Sequence, residues 1–214
     1  MKTSRFLLSP LLVTILTTTL CFKSSAQITL RTDKLYSMSG FGFALPTGET
    51  SDYLTPKFST SLGINVGLGN GGLFFYPKVS LHAFSFNEIT PDVGYTYTLQ
   101  KGRATTYLLN AALGYRKFSG KFAYYGFAGG GGGFVLTPRI SVNQTSLRTE
   151  LDNKSNAMAM LEAGAGIEYN IGGASLFLEV SHLMGFNAIQ NRDFKTVPIT
   201  IGIKPNLSKL LTKK

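Results

Sequence analysis

Six ionisable side chains in this sequence stand where charge is costly to keep. Lys78, His82, Arg116, Glu162, Glu168 and Glu179 each occupy the small or polar phase of a stretch whose alternate residues are apolar. In an extended chain that phase points to one side, so all six project toward whatever the small side chains enclose. Counted from the nearest short turn, Lys78 and Glu179 stand at similar heights, with Arg116 and Glu168 lower. Charges in a narrow enclosure persist only when paired, so the chemistry expected here is an internal ion-pair network that plugs the space. The same residue types could carry protons or ions along a path. A lumen filled by side chains conducts poorly, which favours the plug, and measurable conductance would overturn it. His82, alone with Lys78 on its stretch, is read as structural.

Other candidates for chemistry are weaker. Gly129 to Gly133 is an unbroken run of glycine, but Phe134-Val135-Leu136 follows it rather than the helix and Lys-Ser/Thr of a phosphate loop. The run reads as a strand whose small residues admit bulky neighbours and sharp curvature. Two histidines and a single cysteine, Cys21, leave no metal-ligand cluster and no cofactor signature.

The elements that must position these residues are strands. Phe58, Thr60, Leu62, Ile64, Val66 and Leu68 form one set and Ser59, Ser61, Gly63, Asn65, Gly67 and Gly69 the other, a ribbon with one apolar and one small polar face. The alternation recurs over Leu35–Leu45, Leu73–Phe86, Ala104–Lys117, Phe122–Thr137, Ala157–Tyr169, Ser175–Ser181 and Lys195–Ile203, making eight ribbons. Pro77 marks a bulge or local fault, and Tyr95 to Leu99 alternates well enough to extend a hairpin. Connections near residues 70, 120 and 172 are short and turn-like, whereas those near 50, 95, 147 and 190 are longer and polar; Pro138 to Asn156 is read as one such loop. The pattern predicts an all-β, eight-stranded antiparallel up-and-down transmembrane β-barrel, with short turns on the periplasmic rim and both termini on that side.

A soluble lipocalin-like barrel would reverse the faces. Its outer surface would be about 25–35% charged, whereas the small face here is mainly Gly, Ser, Ala and Asn, in a chain only 15% charged overall. The apolar face is therefore assigned to lipid, and the aromatics Tyr36, Phe58, Phe74, Tyr76, Phe84, Tyr107, Tyr115, Phe122, Tyr124, Tyr169, Phe186 and Phe194 to interfacial girdles.

Outside the barrel, residues 1–26 read as a signal peptide: Lys2 and Arg5, an apolar run, and Ser24-Ser25-Ala26 before a cleavage point. Residues 27–34 are a linker, 35–203 the barrel and 204–214 a basic periplasmic tail. Cys21 leaves with the signal, and Leu20 before it argues against lipidation. The formal charge of +10 falls by Lys2, Arg5 and Lys23 to 10 − 3 = +7 in the mature chain. An exported protein does not meet nucleic acid, so outer-membrane lipid and lipopolysaccharide are the natural partners of the excess, which otherwise sits on solvated loops and tail.

Phe41-Gly42-Phe43, the Leu45-Pro46-Thr47-Gly48 break with Asp52 and Tyr53 after it, and the spacing of the eight ribbons together resemble the small outer-membrane β-barrel family of OmpA-transmembrane-like and OmpX-like proteins of Bacteroidetes-type Gram-negative bacteria. The likeness covers residues 35–203. It implies insertion into the bacterial outer membrane by the barrel-insertion machinery. Many such proteins end on an aromatic residue, but Lys204 to Lys214 has none. Some outer-membrane barrels modify lipid A with a Ser two residues after a His; His182 is followed at that spacing by Met184, so it reads as an interface residue. The expected role is non-enzymatic, structural or adhesive, through the long extracellular loops. A lipid A-modifying enzyme and a small pore are the alternatives.

Overall fold

A computed structural model describes residues 35–69, 71–88, 99–143, 148–189 and 192–208. The chain runs β1 (Leu35–Pro46), α1 (Thr50–Tyr53), β2 (Leu54–Leu68), β3 (Leu73–Phe86), β4 (Gly102–Ser119), β5 (Phe122–Asn143), β6 (Arg148–Asn170), β7 (Ala174–Ile189) and β8 (Arg192–Pro205). Each strand pairs antiparallel with the next, and β8 closes on β1 through pairs such as Phe41↔Ile201 and Phe43↔Ile199, giving a closed eight-stranded barrel. Closure leaves no free edge within the wall, the one β arrangement that satisfies every backbone group in hydrocarbon.

The faces fall as the alternation requires. Leu62 is 60% exposed on the outer wall while Asn65 on the same strand is 0% exposed, and Ser59 and Ser61 are buried with it. Phe41, Phe43, Leu109, Leu113, Leu161 and Ile201 continue the apolar outer surface around the barrel. A soluble domain does not tile its surface this way; a wall bathed in lipid does. At the short-turn rim the chain reverses at Gly69, Gly72, Gly120 and Gly172, all at positive φ.

Several boundaries differ from the sequence reading. The stretch Pro138–Asn156 is not one loop: β5 runs on to Asn143 and β6 starts at Arg148, with cross-strand pairs as far out as Asn143↔Arg148. Charged residues mask the alternation there, and Arg139, Asp152 and Lys154 are exposed. β8 continues to Pro205, and Asn206 bridges to Tyr36 while the Leu35 N–H donates to Ser208 Oγ at 2.9 Å. Residues 204–208 therefore seal the barrel rather than begin a tail. Pro77 marks a local fault rather than a bulge: the β2–β3 ladder skips Ile64 and Asn65 opposite Pro77 and Tyr76, yet Gly63↔Lys78 and Val66↔Phe75 share one register across the gap, and the bulge lies at Lys57. The polar loop after Pro46 includes α1, clamped onto β8 where the Lys195 N–H donates to Thr50 Oγ1 at 2.9 Å. Residues 1–34 and 209–214, and the Tyr95–Leu99 ribbon apart from Leu99, lie outside the described residues.

The interior is not filled mainly by small side chains. Phe74, Tyr76, Phe84 and Phe194 point into the lumen, not to the membrane interface, whereas Phe58, Tyr107, Tyr115, Phe122, Tyr124, Tyr169 and Phe186 are exposed outside. Inward glycines make the room: a Cβ at Gly63 would fall 2.7 Å from the Tyr76 ring, and one at Gly164 2.8 Å from Phe127. Toward the long-loop end the lumen is apolar, with Phe84 edge-on to Phe194 at 5.7 Å among Leu108, Val135, Met158, Met160 and Leu183. Toward the short-turn end Phe74, Tyr76, Tyr125, Phe127 and Phe177 pack together.

Candidate functional site, a lumenal charge network

Between and below these apolar layers the charges assemble into two groups. In the upper one, Lys78 of β3 reaches across the lumen to β6 and β7: its Nζ lies 2.6 Å from Glu162 Oε1 and 3.2 Å from Glu179 Oε1. The remaining acceptor capacity of both carboxylates is also used. Asn110 Nδ2 donates to Glu162 Oε2 at 2.6 Å, Ser181 Oγ to Glu162 Oε1 at 2.7 Å, and Tyr125 OH to Glu179 Oε2 at 2.8 Å. The ammonium also sits 5.0 Å from the centre of the Phe127 ring, a face that favours a cation.

The lower group centres on Glu168. Arg116 Nη2 lies 3.2 Å and Lys204 Nζ 2.6 Å from its Oε1, and Arg116 Nη2 donates to Asn65 Oδ1 at 2.8 Å. Arg116 packs 4.8 Å from the Phe74 ring centre, and Lys204 5.2 Å from that of Tyr36. Lys204 is 0% exposed. The upper group holds one cation and two carboxylates, the lower two cations and one carboxylate, so the charges balance overall but are polarised along the barrel.

Of the residues singled out in the sequence, Lys78, Glu162, Glu179, Arg116 and Glu168 are brought into these two groups. His82 is not. Its Nδ1 lies 2.7 Å from Ser59 Oγ and its ring packs near Phe84, above the charges, as a buried side chain of the wall. Lys204 was missed. It follows Thr200 and Gly202 in the inward phase of β8, so carrying the alternation one residue past Ile203 would have found it.

The glycine run has a use that its sequence did not disclose. Gly131 of β5 stands between Asn110 of β4 and Met160 of β6, and Gly129 lies opposite Glu162. Strands two apart are separated by about 9.5 Å, and any side chain on β5 would stand in that gap. The bare inner face of β5 lets Asn110 reach over it to Glu162. A Cβ at Gly131 would instead meet the backbone of β4 at Leu109. Outside, His182 is exposed opposite Ala163, one residue from inward Ser181. Among the described residues no three His, Cys, Asp or Glu side chains are grouped as a metal site would need.

No family model matches this chain, and no curated protein sequence matches it. Among solved structures it is similar in fold to Ail, the attachment invasion locus protein of Yersinia pestis, in complex with the heparin analogue sucrose octasulfate (12% identity, 80% of this chain and 96% of that one covered, TM-score 0.45). Neisserial surface protein A gives 10% identity over 80% and 96% of the two chains, with a TM-score of 0.46. The N-terminal β-barrel domain of Pseudomonas aeruginosa OprF gives 12% identity over 80% and 98%, with a TM-score of 0.37. At such identities nothing about ligand or activity passes from these proteins to this one.

Proposed function

We propose that this chain is a sealed, non-enzymatic barrel of the bacterial outer membrane whose work is done at its long-loop rim. The observation that carries the reading is the reach of the β5–β6 hairpin. The β4–β5 ladder stops at Thr105↔Leu136 and the β6–β7 ladder at Met160↔Gly185, yet β5 and β6 stay paired to Asn143↔Arg148. Pro138 accounts for the first limit, since it has no N–H to give a neighbour. A register shift beyond Gly185 in β7 accounts for the second. The two-stranded blade so released stands about 20 Å beyond its neighbours, and its residues Arg139, Asp152, Asn153, Lys154 and Ser155 are exposed. A projecting hairpin with exposed polar residues suits contact with a surface outside the cell. The lumen, closed by apolar layers and a balanced charge network, suits an anchor better than a pore.

Replacing residues 139–154 by a tight turn tests this in cells expressing the chain. The shortened barrel should keep its heat-dependent gel mobility while cell attachment to surfaces or to other cells falls. Attachment unchanged by the deletion would overturn the rim reading. Stable single-channel conductance from the intact barrel would overturn the sealed-lumen reading, and altered lipid A mass spectra the non-enzymatic one.

A further inference from the structure

At the short-turn rim, a cavity of about 590 Å³ opens between the β2–β3 turn and the end of β4. Gly71 and Gly72 leave its floor without side chains, and Tyr36, Leu73, Tyr115, Arg116, Lys117 and Phe118 form its walls. Its charge is of one sign. Lys117 is exposed at its edge and Lys121 in the neighbouring β4–β5 turn, and no ion pair is formed by either among the described residues. Among the described residues, the only carboxylate on the three short turns or beside them is Glu168, which is buried and already shared by Arg116 and Lys204. The lower charge group thus adds a net positive charge behind the cavity wall. The long-loop rim differs, since it mixes Glu49, Asp52, Glu88, Asp152 and Asp193 with its lysines and arginines. Exposed Leu73, Tyr115, Phe122, Tyr124 and Tyr169 place the cavity at the height where hydrocarbon gives way to headgroups.

We propose that this cavity is a binding site for the headgroup of an anionic phospholipid of the periplasmic leaflet. Lys117 and the field of Arg116 and Lys204 attract the phosphate, the volume is that of a small-molecule site, and the acyl chains descend along Leu73 and Tyr115. The assignment of leaflet rests on the outer-membrane reading above; the ligand chemistry does not.

The intact barrel, extracted from membranes in mild detergent, is titrated with phosphatidylglycerol, with phosphatidylcholine of the same chains, and with inorganic phosphate, and bound species are counted by native mass spectrometry. Phosphatidylglycerol adducts should dominate. Lys117→Gln should weaken them about fivefold, the share of one lysine at an anionic lipid surface, whereas Lys101→Gln on the opposite rim should leave them unchanged. Equal retention of both lipids, or no effect of Lys117→Gln, would overturn the site. Displacement of the lipid by millimolar inorganic phosphate would show a free-anion site and overturn the lipid assignment. In parallel, Lys121→Cys is labelled with a membrane-impermeant maleimide. Labelling only after cells are opened supports the periplasmic leaflet, and labelling from outside overturns that placement while leaving the lipid titration to judge the site.

Discussion

Replacing Lys78 by methionine removes the one cation that holds Glu162 and Glu179 together and leaves a side chain of similar length. Its ammonium contacts the two carboxylates at 2.6 and 3.2 Å in a fully enclosed setting. At an effective dielectric of about 20, a unit pair some 3 Å apart attracts by roughly 5 kcal/mol. Much of that offsets the desolvation of both partners, so the pair itself adds little net stability over an apolar pair. Breaking it is another matter, because the two carboxylates stay buried, now repelling each other with only the neutral donors Asn110, Ser181, Tyr125 and Tyr76 to hydrogen-bond them. The expected loss is about 3–5 kcal/mol. Reversible urea unfolding of the barrel in lipid vesicles, followed by gel mobility and tyrosine fluorescence, reads it directly. The triple variant Lys78→Met with Glu162→Gln and Glu179→Gln removes the charges together and should recover most of the loss. If Lys78→Met is as stable as the parent, or the triple variant is as weak as the single one, these charges are not coupled as the distances imply.

Other substitutions test the wall, the glycine run and the loop clamp. Leu109→Arg places a charge on the exposed outer face midway along β4 and should cost about 2–4 kcal/mol in a bilayer, with a much smaller effect in a soluble barrel; vesicle refolding yields distinguish the two. Gly131→Ala forces a methyl group against the β4 backbone and should destabilise the barrel by about 1–3 kcal/mol, and the urea midpoint checks it. Thr50→Val keeps the shape of the α1 clamp but removes the acceptor for Lys195 N–H and the donor to Asp193. It should cost about 1–2 kcal/mol and expose the loop to surface-added protease, seen as a faster first cleavage.

The facing of each strand was legible in the residues alone because a pleated chain has a period of two, a local property that needs no partner. Leu62 and Ile64 outside, Ser61 and Asn65 inside, and glycine at each short reversal all follow from it. Which charges meet is not local. Lys78, Glu162 and Glu179 come from three strands distributed around the barrel, and their meeting depends on the stagger with which the sheet closes. The same closure carries Lys204 inward beside Glu168 and turns Phe74, Tyr76, Phe84 and Phe194 into filling, since an aromatic residue reads alike in a girdle and in a lumen. The reach of the β5–β6 blade was likewise decided in three dimensions, by where neighbouring strands stop pairing. Period is written in one strand; register, stagger and the company a side chain keeps belong to all eight.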